Sequence, residues 1–225
     1  MDRPDTSPLK MMQRILASDF VFDFTRAPLA MLAAAVVLFL FIIAILAPLV
    51  APTNPFDPAS LNLMNGFTPP MTPNMFTGQS FVMGADDQGR DLLSAIIYGL
   101  RVSLFVGVMS VLLAMGIGVS LGLVAGYVGG WLDNLIMRIA DIQLTFPSIL
   151  IAMLIFGVLR GIIPPDLRDE MAIFVLIAAI GLSEWVPFAR TVRATTLVEK
   201  EKEYVQAARL IGLRRGQIMW RHILP

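Results

Sequence analysis

The sequence predicts an all-α integral membrane protein with about four transmembrane helices. Of its 225 residues, 56% are hydrophobic and 15% are charged, and the mean hydropathy of +0.74 exceeds that of a soluble domain. Four apolar stretches approach or exceed the ~20 residues that a helix needs to cross a bilayer. Lys and Arg are concentrated at the two ends of the chain, as is typical of cytoplasmic segments.

Residues 1–28 are expected to form a cytoplasmic N-terminal segment, because four basic residues precede the first apolar stretch: Arg3, Lys10, Arg14 and Arg26. Residues 29–50 are the first predicted transmembrane helix. Their apolar run is much longer than the ~7–15 residues of a signal-peptide core, so we expect this helix to be retained as an anchor.

Residues 51–102 are predicted to be an external, periplasmic loop that ends in an interfacial helix. Residues 51–78 are dense in Pro, Asn and Thr, which is typical of irregular structure. The apolar face of the interfacial helix is formed by Leu92, Leu93, Ile96 and Ile97. The aspartates around Gly89 allow a calcium loop as an alternative, but the acidic ligand that ends an EF-hand loop is missing. With one His and no Cys, neither a metal nor a cofactor is expected.

Residues 103–188 contain the other three predicted spans: Ser103–Val128, Ile142–Leu159 and Met171–Phe188. In the first of these, small residues recur every four positions: Ser110, Ala114, Gly118, Gly122, Gly126 and Gly130. This spacing places them along one face of a helix, where a second helix can approach closely. We therefore expect helix packing here, and we hypothesise that the groove lets helices rock during a conformational change.

Charged residues flank the third predicted span. Arg138 and Asp141 are three residues apart, so they can neutralise each other on one helix face. They are expected to anchor the helix at the membrane interface, although a place at the inner boundary of a transport pathway is an alternative. Glu184, near the cytoplasmic end of the fourth predicted span, has the same two interpretations. We favour a packing or gating role for it over substrate recognition.

Residues 189–225 form the most basic segment, which predicts a cytoplasmic location on the same side as the N-terminus. An even number of spans agrees with this orientation. Ala207 and Ala208 favour a helix, and Gly212 is suited to the left-handed residue that ends one. From the residues alone, a solvated amphipathic loop and a docking helix both remain open.

Three motifs in the chain resemble the permease subunits of bacterial ABC importers. Gln206-Ala207-Ala208, Gly212 and Leu224-Pro225 resemble the "EAA" loop, with Gln206 in place of the usual Glu. Residues 83–104 resemble the "GTDxxGRDxxSRxxxGxRxSL" signature of the dipeptide and oligopeptide branch, with Ala85 where Thr is usual. Residues 126–147 resemble the run "AGYxGGxxDxxxxRxxDxxxxFP", and His222 matches the "RHILPN" variant of the peptide branch.

The resemblance implies a type I importer-like helical bundle and a permease subunit that moves di- or oligopeptides across the bacterial inner membrane. The implied partners are ABC ATPase subunits, a second homologous permease, a periplasmic solute-binding protein and the lipid bilayer. The ATPase is expected to dock on seven residues of the EAA coupling loop, which spans 189–225: Tyr204, Gln206, Ala207, Ala208, Arg209, Gly212 and Leu213. Helix packing is assigned to Ala114, Gly118, Gly122 and Gly126.

Alternative functions within the family are transport of a nickel chelate, an opine or glutathione. Permeases of this family have two further spans after the Leu-Pro pair, so the resemblance predicts a chain truncated after the coupling loop. We hypothesise that such a chain cannot form a complete pathway, which makes a non-functional truncated permease another alternative.

Other classes of protein fit the sequence less well. No GxxxxGK[ST] loop occurs, so ATP hydrolysis is expected from a partner and no catalytic residue is assigned. An intramembrane enzyme would need a motif such as HExxH or GxSxG, and neither is found. In an ion channel or a purely structural scaffold, the motif in the last segment of the chain would have no role. The positive-inside bias accounts for the basic tail, so nucleic-acid binding is not expected.

Overall fold

A computed structural model describes residues 19–57, 62–74, 78 and 80–224. The chain divides into two compact units, residues 1–104 and 105–225. Most of the predicted N-terminal segment 1–28 lies outside the described residues. Over the rest the chain is predominantly helical, which confirms the all-α prediction. Among the described residues, two helices are long and apolar enough to cross a membrane, and the number of candidate spans is four if each of two bent helix pairs forms one span.

The first unit begins with an apolar helical segment. Its helices are α1 (Asp19–Arg26), α2 (Pro28–Ile45) and α3 (Ala47–Val50). Helix α2 starts at a proline, whose missing N–H has no partner in the first turn of a helix anyway. Large apolar side chains on several faces of α2 are exposed, including Leu38 at 62% and Phe39 at 61%. Exposure of this kind is compatible with lipid rather than water around the helix.

The loop after α3 is largely irregular in its described part, as predicted. It contains a 3-10 turn, Leu63–Asn65, and an antiparallel pair of two-residue strands, β1 (Thr72–Pro73) and β2 (Ser80–Phe81). Asp86 stabilises the next turn, because its Oδ1 accepts hydrogen bonds from the backbone N–H groups of Gln88 and Arg90 at 2.9 and 2.8 Å. Among the described residues, no group of three or more acidic, His or Cys side chains could hold a metal ion.

Gly89 holds this turn in a conformation that other residues rarely adopt. Its φ is +75°, and a β-carbon added to it would lie 2.0 Å from the carbonyl oxygen of Asn62. Replacing Gly89 with Ala is therefore expected to loosen the loop at a cost of about 1–3 kcal/mol. Limited proteolysis of the detergent-solubilised protein should show faster cleavage within residues 51–91. The control is Gly99→Ala, because open space surrounds Gly99; equal cleavage rates in the two variants would contradict the prediction.

Helix α4 runs from Leu92 to Val128 without a break over 37 residues. The residues of the predicted interfacial helix form the first turns of α4, which continue directly into the second predicted span. Asp91 caps this helix: its Oδ2 accepts hydrogen bonds from the Ser94 backbone N–H at 2.9 Å and the Ser94 hydroxyl at 2.5 Å. At 1.5 Å per residue the helix is about 55 Å long, more than a bilayer core requires. It ends before Gly129 and Gly130, which both have positive φ.

The third and fourth predicted spans correspond to two bent helix pairs. Helices α5 (Gly130–Leu144) and α6 (Ser148–Ile162) meet at 99°. Pro147 accounts for this break, since it lacks an N–H and disfavours a helical conformation in the residue before it. A 3-10 turn, Pro165–Leu167, leads into α7 (Arg168–Ser183), and α8 (Trp185–Glu199) follows. The pair is bent by 41° at Glu184.

The last helices are short. Helix α9 spans Glu203–Leu210 and α10 spans Arg215–Ile218, followed by a π-helical turn at Met219–Ile223. Gly212 lies between α9 and α10 with a φ of +79°. The predicted helix and its left-handed end are thus confirmed.

Candidate functional site

The small residues of α4 lie against the backbone of α8. A β-carbon placed on Gly118 would be 2.5 Å from the carbonyl oxygen of Trp185, and one on Gly122 would be 2.4 Å from that of Ala189. On Gly126 it would be 2.7 Å from Cβ of Thr196. Only glycine therefore fits at these three positions of α4.

Two further small residues continue the stripe towards the start of α4, and one of them contacts α7. Ala114 is buried at 1% exposure, and the Ser110 hydroxyl donates a hydrogen bond of 3.4 Å to the carbonyl oxygen of Ile177. Gly130 lies outside α4 and has open space where a β-carbon would be, so it is not part of the packed stripe.

Two ion pairs connect α5 to α8. Arg193 donates from Nε and Nη2 to the two carboxylate oxygens of Asp133, at 2.5 and 2.6 Å. Asp141 pairs with Arg190. The predicted pairing of Asp141 with Arg138 is therefore wrong: a residue 49 positions away on the neighbouring helix neutralises Asp141 instead.

Gln143 adds a third polar connection at the bend between α7 and α8. Its Nε2 donates to the carbonyl oxygen of Ser183 at 2.7 Å, and its Oε1 accepts from Trp185 Nε1 at 2.9 Å. Both sides of its amide group are used, so the end of α5 is held beside the break at Glu184. Helix α8 is thus fixed to α4 by close packing and to α5 by polar bonds.

Helix α9 has an inner face that packs within the second unit. Val205 and Ala208 are buried, at 0% and 4% exposure, in a cluster with Leu123, Ile218 and Ile223. Ala208, which the sequence assigned to docking, therefore faces the core of its own chain. Leu213 packs at the edge of the same cluster and is half-buried.

The outer face of α9 and the turn after it are apolar and exposed. Leu210 is 88% exposed and Ile211 is 75% exposed. Gln206, Ala207 and Gly212 are exposed beside them. Ile211 was not assigned to this site from the sequence. Helical spacing separates Leu210 from the inner face that Val205 and Ala208 define, but it would place Ile211 near Ala208, three residues before it. Ile211 is exposed because it lies in the turn after α9.

Hydrogen bonds hold the start of α9 in place. The Tyr204 hydroxyl donates to Glu199 Oε2 at 2.6 Å, and Lys202 Nζ donates to Glu199 Oε1 at 2.6 Å. These bonds raise the pKa of Tyr204 and that of Lys202 above their ordinary values, because the Glu199 carboxylate accepts from the protonated form of each. Gln206 Nε2 donates to the carbonyl oxygen of Glu201 at 2.9 Å.

The cationic end of α9 lies over an aromatic ring of α4. The guanidinium carbon of Arg209 is 5.1 Å from the centroid of the Tyr127 ring, within the range of a cation–π interaction. The two sides of α9 therefore differ in their surroundings. Val205 and Ala208 are packed into the chain's own core, whereas Leu210 is exposed on the opposite side.

Comparison with known proteins identifies two family matches. Residues 118–225 match a model described as "Binding-protein-dependent transport system inner membrane component". Residues 16–70 match one described as "N-terminal TM domain of oligopeptide transport permease C".

Individual relatives are similar over most of the chain. The dipeptide transport system permease protein DppC of Haemophilus influenzae is 34% identical over 221 residues, which cover 97% of this chain and 70% of the relative. The oligopeptide transport system permease protein OppC of Bacillus subtilis is 31% identical over 98% of this chain and 66% of its own. The glutathione transport system permease protein GsiD of Pectobacterium atrosepticum is 40% identical over 64% of this chain and 44% of its own.

Proposed function

Because this chain belongs to the family of inner membrane components of binding-protein-dependent transport systems, we propose that it is a permease subunit of an importer for short peptides. The named relatives support this class of substrate, since their names refer to dipeptide, oligopeptide and glutathione transport, and glutathione is itself a tripeptide. The chain supplies the membrane-spanning part, with its N-terminus and terminal segment in the cytoplasm by the positive-inside rule. A solute-binding protein and a second permease are its further partners.

We infer that an ATPase subunit binds the outer face of α9. The observation that carries this inference is the exposure of Leu210 and Ile211 beside a helix whose other face is fully packed. Such side chains in a polar segment gain free energy when a partner covers them. A groove on the ATPase subunit is the proposed occupant, in line with the family to which the chain belongs.

The contacts of α8 suggest how movement of the ATPase would reach the membrane. Helix α8 leads into α9, and it is fixed to α4 through Gly118, Gly122 and Gly126. It is also fixed to α5 through Asp133 and Gln143. Displacement of α9 by an ATP-driven partner would therefore be passed to three helices together, in an alternating-access cycle.

Leu210→Glu is expected to weaken binding of the ATPase subunit without unfolding the chain. Leu210 is 88% exposed, so the change leaves the core intact while placing a charge in the apolar contact. Loss of a central contact of this type costs about 2 kcal/mol, roughly a thirtyfold fall in affinity. The measurement is pulldown of a candidate ATPase subunit from detergent extract.

Gln206→Glu is the charge control, because it adds the same charge on the same exposed helix and restores the residue usual in the EAA loop; it gives up only the hydrogen bond to the carbonyl oxygen of Glu201. It should retain binding. Ala208→Arg is unsuitable as a test, since Ala208 is buried and its replacement would disrupt folding as well as docking. If Leu210→Glu and the unchanged chain capture equal amounts of ATPase, the outer face is not the docking surface.

A further inference from the structure

We propose that a basic pocket beside the end of α4 binds the phosphate of an anionic phospholipid headgroup. The pocket has a volume of about 370 Å³. Residues of α4, α9 and α10 and of the turn between the last two line it: Tyr127, Val128, Arg209, Leu213, Arg215 and Ile218. This basic pocket is distinct from the outer apolar face of α9, because neither Leu210 nor Ile211 lines it.

The two arginines supply the charge that a phosphate needs. In the part of the chain that the structure describes, neither Arg209 nor Arg215 forms an ion pair, whereas Arg190 and Arg193 both pair with aspartates. The guanidinium carbon of Arg209 lies 5.1 Å from the centroid of the Tyr127 ring, so a cation–π contact holds this side chain at the pocket. The planar array of N–H donors on a guanidinium suits a pair of phosphate oxygens.

The surroundings of the basic pocket favour a lipid over a soluble anion. Val128 is the last residue of the apolar helix α4 and is 46% exposed. Trp131, at the start of α5, is 74% exposed. Exposed Trp beside the end of an apolar span is typical of the depth at which lipid headgroups lie. Basic pockets at the ends of transmembrane helices suit anionic headgroups, whose acyl chains can continue along the adjacent apolar surface.

The test is lipid retention by the 225-residue chain alone, measured by native mass spectrometry after delipidation in detergent. The chain is titrated with phosphatidylglycerol, with zwitterionic phosphatidylcholine and with inorganic phosphate. The test variant is Arg209→Gln with Arg215→Gln. The control is Arg138→Gln with Arg221→Gln, which removes the same charge from two exposed arginines outside the basic pocket. Equal elution profiles in size-exclusion chromatography check that both double variants fold.

We expect phosphatidylglycerol to bind the unchanged chain and the control variant more tightly than phosphatidylcholine. The test variant should lose about 25-fold in affinity for phosphatidylglycerol, since each of the two cationic side chains near a headgroup contributes about fivefold. Equal binding of phosphatidylglycerol to both double variants would overturn the proposal. Inorganic phosphate binding as tightly as the lipid would identify a soluble-anion site instead.

The ATPase pulldown separates this proposal from the docking of a protein. If the test variant loses the ATPase subunit but keeps its phosphatidylglycerol, the basic pocket receives an acidic side chain of the partner and the lipid proposal fails. If Leu210→Glu leaves ATPase binding unchanged while the test variant loses the lipid, the lipid proposal stands and the docking proposal fails.

Discussion

Replacing Gly122 with alanine is expected to separate α4 from α8 and destabilise the second unit by about 3 kcal/mol. The added β-carbon would lie 2.4 Å from the carbonyl oxygen of Ala189 and 3.0 Å from its carbonyl carbon and Cα. These atoms are backbone, so no change of rotamer can relieve the overlap. Because close packing is a main source of helix association in a membrane, the whole contact should weaken.

Gly116→Ala is the matched control for this prediction. It changes the same residue type in the same helix, but a β-carbon at Gly116 has no atom within 4 Å. Alanine is also the better helix former, so the control should be neutral or slightly stabilising. The measurement is thermal unfolding of the detergent-solubilised protein, monitored as the fraction that remains monodisperse after heating. Equal midpoints for the two variants would show that α4 and α8 can separate without cost.

The sequence predicted those features of the fold that depend on local pattern. The stripe of Ala114, Gly118, Gly122 and Gly126 could be read because a four-residue spacing defines one face of any helix. Gly212 could be read as the end of α9 because few other residues adopt a positive φ. The membrane class follows from hydropathy, which needs no tertiary information.

Features that depend on distant residues could not be predicted in this way. A hydropathy run such as Ile142–Leu159 is the same whether the helix is straight or bent by 99°, and only Pro147 gave a local sign of the break. The partner of Asp141 is Arg190, which no helical spacing relates to it. The burial of Ala208 depends on Leu123 and Ile218, and their proximity is a property of the fold.

The docking residues also depend on contacts with distant parts of the chain, so the sequence could not identify them individually. The EAA resemblance indicates a segment, and it does not indicate which side of α9 faces outward. The structure supplies that side, because Val205 and Ala208 are buried while Leu210 and Ile211 are exposed. This difference moves the decisive substitution in the docking experiment from Ala208 to Leu210.

Loss of the Asp133 carboxylate is expected to destabilise the second unit by about 2–3 kcal/mol. In Asp133→Asn the guanidinium of Arg193, which is 32% exposed, keeps its charge and loses its two-point partner. Removing one member of a fully buried pair costs about 3–5 kcal/mol, and partial exposure reduces that value. Arg193→Lys should also destabilise, since an ammonium group cannot reproduce the bidentate geometry.

The second ion pair between the same two helices provides the control. Arg190 and Asp141 are 48% and 54% exposed, so Asp141→Asn should cost less than about 1 kcal/mol. The exchange Asp133→Arg with Arg193→Asp should recover part of the stability that either single change removes, because it restores opposite charges across the contact. Thermal unfolding in detergent measures these variants together with the single changes Asp133→Arg and Arg193→Asp. If Asp133→Asn and Asp141→Asn lowered the midpoint equally, burial would not decide the strength of these pairs, and α8 would be held to α5 chiefly by Gln143.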